Sequence, residues 1–160
     1  MAGEGDGFGT RAVHAGQAPD IATGAIMTPL FLTSTYVQDG VAQPRQGHEY
    51  ARVTNPTRTA LEENLASLEG GEHGLAFASG LAAIEAILKA NLSSGDHVVC
   101  GDNLYVGSER LFRFWERYGL RFDYVDTSDL ERLRAAMQPE TRMVYLETPT
   151  NSLMQLTDLS

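Results

Sequence analysis

Two hydrophobic periods alternate along the second half of this chain. Leu75, Ala76, Phe77 and Ala78 form a short apolar run, which predicts a buried strand. Ser79 and Gly80 break it, and Leu81, Ile84, Ile87 and Leu88 then recur at helical spacing as far as Leu92. Ser93, Ser94, Gly95 and Asp96 read as a turn, and His97, Val98, Val99 and Cys100 as a second buried strand. Leu111, Trp115 and Tyr118 mark a helix face that Gly119 ends, residues 120–125 alternate like a strand, 129–137 read as a short helix and 142–146 as another strand. Strand, helix, strand, helix, strand, helix, strand is the order of an α/β layer structure: a mostly parallel sheet covered by helices on both faces. Upstream, Asn55 is placed to cap a helix that starts at Pro56. Leu61, Leu65 and Leu68 give it an apolar stripe, and Gly70 and Gly71 stop it.

Residues 10–47 lack such a period. Pro19, Gly24, Pro29, Gly40, Pro44 and Gly47 punctuate them, with short β-rich pieces such as 30–36 between. A stretch this long and irregular is unusual inside a compact domain, so the expectation is an arm lying across another surface, most simply a second subunit. Gly3, Gly5, Gly7 and Gly9 superficially match a dinucleotide-binding glycine pattern. With no strand before them and no helix expected after them, residues 1–9 read instead as a flexible tail. The expected division is 1–57 as arm and inter-subunit segment and 58–160 as the start of a ligand-binding domain. Residues 156–160 offer neither cap nor closing element, and a four-strand parallel sheet would leave an open edge and an unshielded face, so a longer architecture is expected.

Charge and composition narrow the function. The 160 residues carry a net charge of −9 and a pI near 4.8, a poor footprint for nucleic-acid binding. Apolar residues make up 42%, within the range of soluble globular domains. Cys100 is the only cysteine, which excludes an internal disulfide framework and points to a reducing, cytoplasmic setting. No apolar run approaches a membrane span, and no basic-then-apolar leader opens the chain. His14, His48, His73 and His97 have no metal-ligand spacing and read as structural or exposed.

A strand that turns into a helix at Ser79 and Gly80 directs unpaired N–H groups and the positive end of a helix dipole at one spot, which suits a phosphate. Gly80 permits close approach, and Ser79 adds a hydroxyl. Ligands of parallel sheets sit beyond the carboxyl ends of the strands. Three polar stretches fall there: Ser79 with Gly80, residues 102–105, and residues 148–151. On residue type alone, Tyr50 and Arg52 are a surface aromatic and a solvated charge, Cys100 is inert packing, and Glu147 suits either a place behind the site or solvent.

Six segments then resemble one family in that family's order. They are Thr10-Arg-Ala-Val-His-Ala-Gly16, Tyr50-Ala-Arg52-Val-Thr-Asn-Pro-Thr57, Leu68-Glu-Gly-Gly71, Ala78-Ser-Gly-Leu-Ala82, Asp102-Asn-Leu-Tyr105 and Glu147-Thr-Pro-Thr-Asn151. Together they resemble the N-terminal portion of the pyridoxal-phosphate enzymes of cysteine and methionine metabolism, of cystathionine γ-synthase and γ-lyase type. The resemblance implies an incomplete aminotransferase-like (fold type I) αβα sandwich with a mostly parallel sheet and an extended N-terminal arm. It implies pyridoxal 5′-phosphate as cofactor, an amino-acid substrate and a homodimer or homotetramer formed through the arm. Backbone N–H groups at Gly80 and Leu81, beside Ser79, would hold the cofactor phosphate. Tyr50 and Arg52 would reach across the interface to the neighbour's phosphate, Arg52 with two bonds at once. Tyr105 would stack on the pyridine ring and help move protons at the substrate amine, which makes it the catalytic candidate. Asn151 would hydrogen-bond the ring hydroxyl. The family has proline after that asparagine, where this chain has Ser152.

Such enzymes also need a Schiff-base lysine and an acidic partner for the ring nitrogen. The family supplies both after the segment matching Asn151. The single lysine of this sequence, Lys89, lies mid-helix and matches no family lysine. The expectation is therefore the N-terminal part of a γ-elimination or γ-replacement enzyme acting on homoserine- or cystathionine-like amino acids, inactive alone. The alternative is a non-catalytic module that associates with a full-length relative. A Rossmann-type nucleotide binder is disfavoured, because no Gly-x-Gly-x-x-Gly follows the first strand of the sheet.

Overall fold

The computed structural model describes residues 5–159. Its contacts divide the chain into two compact units, Met1–Ala76 and Phe77–Ser160. The first unit thus takes in both the arm, which the sequence ends at Thr57, and the helix that follows it.

The first unit opens with α1 (Phe8–His14), where a flexible tail was expected through Gly9. Met1, Ala2, Gly3 and Glu4 lie outside the described residues. A helix therefore does follow the glycine pattern, although the described residues before it form no strand. The helix escapes a periodicity reading because polar groups hold it. The Asn64 amide donates to the carbonyls of Arg11 (3.1 Å), Ala12 (3.3 Å) and Ala15 (2.9 Å), at the C-terminal end of the helix and its cap, where helical bonding runs out. Gly16 follows at φ +71°, and a Cβ there would lie 2.4 Å from the Ala60 carbonyl oxygen, so only glycine fits so close to the neighbouring helix.

That neighbour, α2 (Pro56–Glu69), matches its expected ends: Asn55 accepts from the N–H groups of Thr57 and Arg58, Pro56 is its first residue, and Gly70 closes it at φ +69°. The β-rich piece at 30–36 forms no strand, only an isolated bridge between Thr35 and Tyr50. Side chains of α2 and its cap claim that backbone instead. The Thr57 hydroxyl donates to the Pro29 carbonyl (2.7 Å) and accepts from Phe31 N–H (3.0 Å), and the Asn55 amide donates to the Phe31 carbonyl (3.0 Å). A small antiparallel pair, β1 (Gln38–Gly40) and β2 (Gln43–Pro44), completes the arm.

The second unit is an α/β layer. Its elements are α3 (Gly80–Asn91), β3 (His97–Gly101), α4 (Val106–Glu116), β4 (Arg121–Val125), α5 (Leu130–Ala136) and β5 (Thr141–Tyr145). The strands form one parallel sheet in the order β4-β3-β5. The central strand β3 is buried along its whole length, as a strand flanked on both edges should be. Leu88 of α3 and Phe112 of α4 pack with Val98, Cys100 and Phe122 in the core, and Phe112 stacks on Phe122 at 4.9 Å and meets Tyr145 edge-on at 5.0 Å. Asp129 caps α5 by accepting from Glu131 and Arg132 N–H groups.

Among the described residues the parallel sheet has three strands rather than four. Residues 75–78 run without strand pairing. Leu75 is 78% and Phe77 45% exposed, and the Ala76 N–H is taken by the Glu62 carboxylate (2.9 Å) instead of a neighbouring strand. Apolar composition set the expectation, but a strand also needs an edge to pair with. Among the described residues no helix is long and apolar enough to cross a membrane.

Candidate functional site

Parallel pairing puts the carboxyl ends of β3 and β5 on one side of the sheet, with Cys100 opposite Tyr145. The stretches that leave these ends are the ones expected to carry Tyr105 and Asn151, and the structure knits them together. The Asn103 amide donates to Thr150 Oγ1 (2.9 Å) and to Gln155 Oε1 (3.3 Å). Thr150, buried beside Asn151, accepts from Gln155 N–H (2.9 Å) and returns its own N–H to the Gln155 carbonyl (2.9 Å). Asn151 itself is exposed. One strand further, Thr127 and Thr157 share a buried hydroxyl contact of 2.7 Å.

Tyr105 occupies the N-cap of α4 with φ −53° and ψ 128°, outside the helical region, and the residue is 43% exposed. Its N–H donates to both carboxylate oxygens of Glu147, at 3.0 and 3.1 Å. Its ring lies along the first turn of α4, close enough that a Cβ on Gly107 would sit 2.3 Å from the ring's Cε1. Ser108 is buried, with its hydroxyl 3.4 Å from the Tyr145 hydroxyl. Burial pushes the Tyr145 phenol up despite the opposing pull of that contact.

Ser79, Gly80 and Leu81 form the start of α3. The Ser79 hydroxyl caps the helix by accepting from Ala82 N–H at 3.2 Å. Ala83 N–H reaches the Ser79 carbonyl at 3.1 Å. The N–H groups of Gly80 and Leu81 precede the first intrahelical bonds, so the helix itself cannot satisfy them. Among the described residues a Cβ on Gly80 would meet nothing within 4 Å, so the space above it is open. Two free donors, open space and the positive helix end fit an anionic group such as a phosphate.

Tyr50 and Arg52 belong to the first unit. The Arg52 guanidinium carbon lies 4.6 Å from the Tyr50 ring centroid. Among the described residues no carboxylate pairs with Arg52, which leaves its fork available to an anion. The turn that carries the pair is fixed by Arg58, whose guanidinium donates to the carbonyls of Ala51 (3.2 Å) and Val53 (2.6 Å). Ala51 N–H adds a bond to the Ser34 carbonyl at 2.9 Å.

The structure thus joins the stretches of Tyr105 and Asn151, pairs Tyr50 with Arg52, and exposes free donors at Gly80 and Leu81. Lys89 is occupied elsewhere: its ammonium pairs with Glu85 at 2.7 Å and lies 5.7 Å from the Trp115 ring centroid. Cys100 is fully buried, and burial first, with the Asp123 charge second, pushes its thiol up to about 12. It is a packing residue, not a nucleophile. The sequence reading missed Arg58, Asn103 and Gly107 and left Glu147 undecided. Only Glu147 and Asn103 had a signal, since both stand inside segments singled out for other residues.

Three comparisons bear on this geometry. Residues 9–160 match the family described as Cys/Met metabolism PLP-dependent enzyme. The chain is 52% identical over 155 residues to a probable cystathionine gamma-synthase of Herpetosiphon aurantiacus, covering 96% of this chain and 48% of that protein. It is 47% identical over 151 residues to a cystathionine beta-lyase of Lactococcus lactis subsp. cremoris, covering 94% and 39%. The structure superposes on the crystal structure of metB from Corynebacterium glutamicum with a TM-score of 0.94 at 40% identity, covering 99% of this chain and 41% of that one. The chain therefore spans less than half the length of these relatives. The expected fold class, an incomplete aminotransferase-like αβα sandwich with a parallel sheet, is the one observed.

Proposed function

The chain belongs to the Cys/Met metabolism pyridoxal-phosphate-dependent enzyme family, and from that premise we propose that it is the N-terminal part of an enzyme that eliminates or replaces the γ-substituent of a homoserine- or cystathionine-like amino acid. When bound, pyridoxal phosphate supplies an electron sink that stabilises negative charge on the substrate's amine-bearing carbon. The chain's own residues supply binding and orientation. Gly80 and Leu81 N–H groups hold the phosphate at the start of α3, where the helix end contributes about 0.3–1 kcal/mol and at most about 2. Tyr50 and Arg52 add the charge-assisted contact to a neighbouring subunit's phosphate in a homodimer or homotetramer. Tyr105 stacks on the cofactor ring and holds or moves a proton at the substrate amine through its phenol oxygen. Asn151 hydrogen-bonds the ring hydroxyl.

The observation that supports this most is the joining of the Tyr105 and Asn151 stretches by Glu147 and Asn103 at the carboxyl ends of neighbouring parallel strands. Lys89 is paired with Glu85 and matches no lysine position of the family, so on this reading the chain alone binds the cofactor weakly and turns over nothing. The test adds pyridoxal phosphate and cystathionine or an O-acylhomoserine to this chain and to the complete polypeptide that contains it. The complete polypeptide should shift the cofactor's absorption and release a keto acid or a replacement product; the chain alone should do neither. Turnover by the chain alone would overturn the reading, as would a complete polypeptide that ignores the cofactor.

A second reading has one observation in its favour. Ile21, Leu32 and Val41 of the arm are 95%, 95% and 97% exposed, as an association surface would leave them. On this reading the chain is a non-catalytic module that binds a full-length relative, and a stable stoichiometric complex on co-purification would select it.

A further inference from the structure

We infer that Glu147 is a positioning residue for Tyr105: its carboxylate fixes the backbone at the start of α4 and so sets the plane in which the Tyr105 ring meets a planar ligand. The inference rests on the proposed cofactor site. An N-cap usually carries Ser, Thr, Asp or Asn, whose side chain satisfies the first turn. Tyr105 makes no such bond, so the ring is free for another task and the local backbone needs an external partner. Glu147 is that partner, taking the Tyr105 N–H on both oxygens at 3.0 and 3.1 Å across 42 residues of sequence. A carboxylate accepting from a backbone N–H makes a charge-assisted bond, stronger than a neutral one.

Gly107 restrains the ring from the other side. A Cβ at that position would lie 2.3 Å from Tyr105 Cε1, 2.9 Å from Cζ and 3.0 Å from Cδ1, so the ring rests where any other residue would place its first carbon. Glu147 holds the main chain of Tyr105, and the bare first turn of α4 seats its ring. The Asn103 bonds to Thr150 and Gln155 join the same two stretches independently, so loss of the Glu147 carboxylate releases Tyr105 without parting the loops.

The test uses the complete polypeptide and two readouts: the Kd for pyridoxal phosphate by absorbance titration, and hydrogen exchange at the Tyr105 amide. Glu147→Ala should weaken binding about tenfold, the scale of one hydrogen bond to a charged group, and should speed exchange at Tyr105 while core amides of β3 stay protected. Glu147→Gln keeps one acceptor oxygen and should recover part of both. In a Tyr105→Ala background, Glu147→Ala should change Kd less than about twofold, because coupled residues do not add. Gly107→Ala should weaken binding only when the Tyr105 ring is present, which covers the case of a Glu147 variant that fails to fold. Equal losses with and without the ring, or unchanged exchange at Tyr105, overturn the inference. A wild type that does not bind the cofactor overturns the proposed function, and the exchange measurement still decides the clamp.

Discussion

Val98, Val99 and Cys100 are 0% exposed, whereas Ile21, Leu32 and Val41 are 95%, 95% and 97% exposed. The two groups have similar side chains and opposite surroundings. In the sheet unit, order follows from apolar burial: β3 is flanked by two strands and covered by Leu88 and Phe112. In the arm unit, order follows from side chains that grip backbone, such as Asn55 and Thr57 on residues 29–31 and Asn64 on the end of α1. A segment can therefore have a defined course without a core of its own, and its apolar residues then face outward.

The sharpest way to break this comparison is truncation of one apolar side chain in each unit. Phe112→Ala removes a ring with 0% exposure and two aromatic neighbours, and should cost about 3–5 kcal/mol. Leu32→Ala should stay within about 0.5 kcal/mol. Urea unfolding followed by circular dichroism measures both, and similar losses would mean the arm is stabilised by apolar packing after all.

A smaller effect separates the units by pH. The folded Cys100 thiol titrates near 12 against an ordinary 9.0. Its pKa is raised on folding, so its contribution is complete below about pH 9 and is lost as pH climbs through 12, at about 1.4 kcal/mol per unit. Tyr124, raised from 10.0 to about 12 chiefly by burial, acts with the same sign above pH 10. Stability of the wild type should thus fall from pH 9 to 11, and Cys100→Val should fall less steeply. Parallel curves for the two proteins would show that the thiol is not buried from solvent as described.

The smallest effect compares two caps. Asp129→Ala at α5 should cost about 1 kcal/mol. Asn55→Ala loses a cap of the same kind and also the bond to the Phe31 carbonyl, and should exceed it by about 0.5–1.5 kcal/mol. Scanning calorimetry of the two variants gives the difference; equal costs would mean that Asn55 serves its helix alone.

Local signals were readable where cause and effect are close in sequence. Asn55 with Pro56 reads as a cap and is one, and Ser79, Asp129 and Gly119 fall at or within three residues of helix ends in the structure, because such end signals act locally. Signals failed where the partner is remote. Asn64 closes α1 from about fifty residues away, and residues 75–78 have a strand's composition without a neighbour to pair with. At the candidate site, the family resemblance names Tyr50, Arg52, Gly80, Leu81, Tyr105 and Asn151, but nothing in it names the residues that support them. Arg58 under the turn of Tyr50 and Arg52, and Gly107 under the Tyr105 ring, carry no mark that distinguishes them from any helix arginine or glycine.

The bonds from Asn55 and Thr57 to residues 29–31 also bear on kinetics. Fixing a free backbone takes roughly 1–2 kcal/mol per residue, and here much of that is met during folding rather than at encounter. A partner that docked on this stretch would meet a preformed template, so little of its affinity would go into ordering the chain, and its dissociation would leave the stretch in the same course.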